Sequence, residues 1–88
     1  MTSYKTTAVF DETTLPAGFR REHRTKAGAW GIIRLLEGEL RLLFADGREE
    51  LLSPQRLGLV RPQETHRVEP VGAMRMQVEF HDREPDLN

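Results

Sequence analysis

The sequence predicts an all-β fold, a small barrel or double-sheet jelly roll of about seven or eight short strands. Three observations carry the prediction. Short runs rich in Val, Ile, Leu, Phe and Thr recur at regular spacing, with Gly, Pro, Asp or Ser between them. Several of these runs alternate apolar with polar residues at period two, and no stretch offers a convincing helix. A chain of 88 residues is expected to form one domain over residues 1–88, with its core at about residues 4–80.

Thr6 to Phe10 is a short strand candidate, followed by a turn at Asp11 to Thr14 and a further break at Leu15-Pro16-Ala17-Gly18. Phe19 to Thr25 reads as extended, with Phe19, Arg21, His23 and Thr25 on one side. Thr25 to Ala29 is a small, polar loop. Trp30 to Glu37 (WGIIRLLE) is the most apolar run, and its length and Gly31 favour a strand over a helix. Gly38-Glu39 is expected to break that run, so that Leu40 to Phe44 pairs with it as a hairpin. Asp46-Gly47 suits a tight turn with positive φ angles, returning Glu49 to Leu52 against Leu40 to Phe44. Ser53 to Arg56 turns into Leu57 to Val60. Pro62 cannot donate a ladder hydrogen bond, so the chain turns at Arg61 to Glu64 before Thr65 to Glu69. Pro70 to Ala73 reads as another turn, and Met74 to Phe80 as a strand that buries Met74, Met76, Val78 and Phe80. Asp82 to Asn88 is a polar, loose tail.

Composition narrows the functional classes. Lys and Arg number 13 against 14 Asp and Glu, for a formal net charge of -1, and the signs are interspersed. That argues against a nucleic-acid partner. There is no cysteine, which excludes disulfides, thiolate metal sites and cysteine nucleophiles. Ser3 and Ser53 sit in terminal or turn segments with no nucleophile context. No apolar run reaches the length of a signal h-region or a membrane span, so a soluble cytoplasmic protein without a membrane partner is expected. A domain this small leaves apolar surface that a second copy can cover, so a homodimer is the expected assembly.

Alternation puts His66 on the same face as Val68, inside the β structure, and His23 on the face of Phe19. Such a histidine is a metal ligand, a titrating group or a hydrogen-bonded core residue. His81 closes a strand and reads as a surface residue.

Gly38-Glu39-Leu40 after an apolar strand, the Asp-Gly hairpin, and Gly58 followed by Pro62 and His66 resemble the two-motif layout of cupins. The first cupin motif carries a His-x-His pair and an acid; those positions fall on or near Arg24, Lys26 and Gly31 here, with His23 close by. The second motif is one residue short between proline and histidine, and Glu64 stands where glycine is common. A narrower resemblance covers roughly Tyr4 to Phe80. Leu15-Pro16, Phe19, His23-Arg24-Thr25-Lys26-Ala27-Gly28-Ala29-Trp30-Gly31, Leu36 to Leu40 and Pro62-Gln63-Glu64-Thr65-His66-Arg67-Val68 are similar to the small cupin-like domain of the TehB/YeaR type. The resemblance implies a cupin-like β-barrel (a double-stranded β-helix) and a link to tellurite resistance. In that family the domain stands before a methyltransferase or occurs alone. Neither a methyltransferase domain nor a glycine-rich loop is read here, so S-adenosylmethionine and nucleotide cofactors are not expected.

Within such a barrel His23, Trp30 and His66 are expected to line a pocket. Arg24, Lys26, Arg34 and Arg61 are the candidate oxyanion contacts. His23 and His66 can supply half of a site for a divalent Zn, Fe or Ni ion, with Glu64, Gln77 or Glu79 as candidate third ligand. Three functions follow: a non-catalytic module that binds or senses a small ligand or oxyanion, a metal-dependent cupin enzyme, and a docking domain for a separate methyltransferase.

Overall fold

The structure, a computed structural model, describes residues 4–86; Ser3 and the last two residues of the tail lie outside the described residues. The elements in order are β1 (Tyr4–Thr6), β2 (Phe10–Asp11), α1 (Ala17–Arg20), β3 (His23–Arg24), β4 (Trp30–Phe44), β5 (Glu49–Leu52), β6 (Gly58–Val60) and β7 (Thr65–His81). The fold is all-β, one antiparallel sheet, with a single four-residue helical turn among the described residues. No helix among them is long and apolar enough to cross a membrane.

Two strands organise everything else. β4 and β7 pair from Trp30 opposite His81 to Phe44 opposite His66. Their 15 and 17 residues would span about 50 Å or more if straight, at ~3.3 Å per residue. The longest extent of the molecule is 36 Å, so both strands bend. The bend falls where the ladder shifts register, between Leu35 and Glu39. Gly38 has φ +74° there, and a Cβ on it would lie 2.3 Å from the Ala73 carbonyl oxygen. Only glycine fits at that approach. The shift in register also changes which positions of β4 face inward: Ile33 and Leu35 are buried before the bend, and Leu40, Leu42 and Phe44 after it. On β7 His66 and Val68 are buried in one half and Met74, Met76 and Val78 in the other, whereas Phe80, expected to be buried with them, is exposed at the strand's end.

Gly38-Glu39 and Pro70 to Ala73, expected to end strands, thus lie inside β4 and β7. The expected hairpin between Trp30 to Glu37 and Leu40 to Phe44 does not form, because these runs are successive halves of one strand. The other edges are short. β5 and β6 flank β4 at its two ends, while β1, β2 and β3 flank β7. The bend brings both halves onto one hydrophobic core that includes Leu15, Ile33, Leu42, Leu52, Val60, Val68 and Met76.

The Asp46-Gly47 hairpin forms as expected, with Leu43 opposite Glu49 and Leu40 opposite Leu52. Only the glycine takes positive φ, at +100°; Asp46 supports the turn by accepting the Arg48 N–H at 3.0 Å. The extended run expected over Phe19 to Thr25 is split. Pro16 caps a helical turn in which the Phe19 N–H donates to the Pro16 carbonyl at 3.0 Å, and extension resumes only at His23. This N-terminal strap is tied down at several points. The Asp11 carboxylate accepts the Thr13 and Thr14 N–H groups at 2.8 Å each, Leu15 enters the core, and the Glu12 carboxylate accepts the Met74 N–H at 3.2 Å beside the bend.

Candidate functional site

The strap leaves a cavity of about 460 Å³ against the inner face of the bent sheet. Its walls are Ile33 from β4, Val60 from β6, and Val68, Val78 and Phe80 from β7, with Phe19 and Ala29 closing over them. Gly31 leaves part of the wall open, since a Cβ there would meet nothing nearer than Val60 at 3.8 Å. The polar residues of the lining are His23, His66 and Thr25, together with Lys5, Arg24 and Lys26.

His23 and His66 come together because β3 pairs with the start of β7, where the two are direct cross-strand partners. Their ring centroids are 4.2 Å apart at an interplanar angle of 58°. Both rings are held from behind. His66 Nδ1 lies 2.8 Å from the Glu64 carbonyl oxygen, and His23 Nδ1 lies 3.0 Å from that of Arg21. A carbonyl only accepts, so each Nδ1 carries the hydrogen, and in the neutral ring Nε2 holds the lone pair. Phe19 meets His23 edge-on at 5.7 Å, and Phe44 flanks His66 at 6.5 Å. His66 is buried, and that burial pushes its pKa below the ordinary value, with the nearby His23 adding to the effect against the opposing Glu64 carbonyl hydrogen bond.

The turn ahead of His66 explains its position. Gln63 takes φ +60°, an uncommon angle for a side-chain-bearing residue, and its N–H donates to the Thr25 carbonyl at 2.9 Å. That bond links the loop after β3 to the loop before β7. Glu64 is fully used in the same turn: one carboxylate oxygen accepts the Arg61 N–H at 3.0 Å and the other pairs with the Arg48 guanidinium.

Of the residues expected at the site, His23, His66, Arg24 and Lys26 are brought to the cavity. Trp30 is not part of the lining: Gly31 and Ile33 take the inner face of β4, and alternation turns Trp30 and Arg34 away. Arg34 forms an ion pair with Glu79 at 2.5 Å on that outer side, and Gln77 stands opposite Arg34 in the ladder. Arg61 is exposed at the Pro62 turn, outside the lining. His81, read from the sequence as a surface residue, is largely covered, its side chain 12% exposed, with Nε2 3.4 Å from Glu79. Lys5, Thr25 and Phe80 line the cavity although the sequence did not single them out as site residues. Lys5 arrives only through pairing with Phe80, near the other end of the chain, which no local pattern signals.

The cupin resemblance implies a divalent metal, and the donor set does not fit one. Two imidazoles face the cavity, Glu64 is spent in its turn, and Gln77 and Glu79 belong to the opposite face. Among the described residues, no group of three or more His, Asp or Glu side chains converges to hold an ion.

An all-β domain whose bent sheet encloses a ligand-sized, mostly apolar cavity with two oriented imidazoles is the class defined by this fold and site. The model of the TehB-like domain matches residues 5–78, and the chain belongs to that family. It is 36% identical over 72 residues to a probable S-adenosyl-L-methionine-dependent methyltransferase, TehB of Haemophilus influenzae, covering 75% of this chain and 25% of that protein. The chain therefore spans about a quarter of the length of the curated relatives it matches. The crystal structure of TehB from Haemophilus influenzae superimposes with a TM-score of 0.79 at 31% identity, over 88% of this chain and 29% of that one. A crystal structure of an Escherichia coli K12 protein has the same fold over 92% of this chain and 89% of its own length, with a TM-score of 0.82 at 17% identity.

Proposed function

We propose that this chain is a non-catalytic small-molecule-binding module, a cupin-like barrel whose two bent strands close around a ligand. The observation that carries the reading is the cavity of about 460 Å³ with His23 and His66 side by side in its wall. Its size lies in the range of small-molecule sites, and its composition, apolar walls with a few convergent polar groups, is that of such sites. Among the described residues the lining holds no carboxylate and no serine that could act as a partner acid or a nucleophile for the two imidazoles. The association with tellurite resistance reaches this chain through its family.

Filling the cavity tests the reading. Gly31→Leu projects a side chain into the space beside Val60 and Phe80 without a strained backbone angle. A ligand present at about a hundred times its dissociation constant stabilises the wild-type fold by about 2.7 kcal/mol. For a domain of this size that raises Tm by roughly 10 °C or more. The expected result is a ligand-induced rise in wild type and none in Gly31→Leu, itself folded by circular dichroism. An equal rise in both would place binding elsewhere.

A further inference from the structure

The distribution of polar atoms in the cavity says which chemistry it accepts, an inference that rests on the binding reading above. Inside the rim the two imidazoles offer acceptors, and the Thr25 hydroxyl, the remaining polar group there, donates to the Glu64 carbonyl at 3.5 Å. Both Nδ1–H groups are spent on backbone carbonyls, and among the described residues neither Nε2 has a protein partner. Two lone pairs, on rings 4.2 Å apart, thus present themselves to whatever enters. Neutral imidazoles with this tautomer receive an O–H or N–H and give nothing to an anion. Burial keeps His66 in that neutral form at neutral pH.

Positive charge lies at the rim. Lys5, Arg24 and Lys26 are exposed at the cavity margin, no acidic side chain accompanies them in the lining, and among the described residues none of the three is ion-paired. Between rim and imidazoles the surface is aliphatic and aromatic. A bare inorganic oxyanion satisfies only the rim; moved inward, it loses its hydration against apolar walls and meets acceptors where it needs donors.

We propose that the cavity takes a small organic acid with an apolar body and a hydroxyl remote from its carboxylate. The hydroxyl donates to Nε2 of His66 or His23, the body lies on Ile33, Val60 and Val78, and the carboxylate meets the cations at the mouth.

Calorimetric titration at pH 7.5 tests this with 4-hydroxybenzoate as the probe, its phenol protonated and its carboxyl ionised. Benzoate removes the hydroxyl, 4-hydroxybenzyl alcohol removes the charge, tyramine reverses it, and tellurite and phosphate remove the apolar body. The expected result is that 4-hydroxybenzoate binds at least tenfold more tightly than any of these. His23→Phe and His66→Phe keep a ring in place, and the variant that removes the accepting imidazole brings 4-hydroxybenzoate down to the level of benzoate. If both variants fold and neither loses affinity, the imidazole contact is overturned; if the buried His66 variant does not fold, the wild-type gap between 4-hydroxybenzoate and benzoate still decides whether the hydroxyl is bound. Lys26→Met narrows the gap between 4-hydroxybenzoate and the neutral alcohol. Equal or tighter binding of benzoate, the alcohol, tyramine or either inorganic anion overturns the ligand class and leaves a binding module of another chemistry. Absence of binding by every probe overturns the class and the binding reading together.

Discussion

Replacing Gly38 with alanine separates the two reasons a glycine is needed at the bend. Gly38 and Gly72 have nearly the same backbone angle, φ +74° and +77°, but a Cβ at Gly72 meets nothing within 4 Å. At Gly38 it meets the Ala73 carbonyl oxygen at 2.3 Å and the Met74 Cα at 2.9 Å, both backbone atoms of β7. The left-handed conformation costs an alanine about 1–2 kcal/mol at either position. Gly38→Ala must also push β4 and β7 apart, which adds at least ~1–3 kcal/mol. A domain of this size has only about 4–13 kcal/mol to lose. With a urea slope near ~1 kcal/mol/M, the unfolding midpoint should fall by about 1–2 M for Gly72→Ala and by about 2–5 M for Gly38→Ala. Fluorescence and circular dichroism transitions in urea, recorded side by side, measure both. Midpoints within about 0.5 M of each other would show that the strands relax around the new methyl group, and the steric account of the bend would fail.

Two further expectations follow from the site and its reverse face. His66 has its pKa depressed by burial, so the unfolded chain takes up the proton first; the stability contributed by neutral His66 is whole above about pH 6.5 and declines as pH falls below that value. Urea midpoints between pH 5 and 8 should show this slope in wild type and a shallower one in His66→Phe, and parallel curves would contradict it. Arg34→Ala removes an ion pair whose arginine is 44% exposed, so it should cost no more than ~1 kcal/mol and leave 4-hydroxybenzoate affinity unchanged; a weakened affinity would bring Arg34 back to the cavity.

Local chemistry made much of this molecule legible. The Asp-Gly hairpin, the buried faces of Leu40, Leu42 and Phe44 and of Met74, Met76 and Val78, and the inward side of His66 all follow from alternation and turn residues, and the structure has them. Each histidine's inward side is thus local, but His23 and His66 meet only because β3 pairs with the start of β7. What escaped the sequence is non-local. A glycine at positive φ ends a strand or bends it, and the choice at Gly38 depends on the Ala73 carbonyl packed against it from a strand far along the chain. The one-residue shift at that bend also sets the inward face of β4, which is why Gly31 and not Trp30 meets the cavity. Lys5 enters the site through a pairing that no nearby residue encodes.

The placement of β1 and β3 on the free edge of β7 has a consequence for how the molecule assembles and opens. The turn at Gly47 joins neighbours in sequence, so the pairing of β5 with β4 closes a short loop and can form early. Pairing of Lys5 with Phe80 closes nearly the whole chain, and His23 joins His66 through a strand of two residues. These late, sparse contacts are the ones that complete the ligand's surroundings. Amide hydrogens of the strap should therefore exchange with solvent well before those at the centre of the β4–β7 ladder. A ligand bridging the strap and the sheet would slow that exchange most where the free protein is least protected.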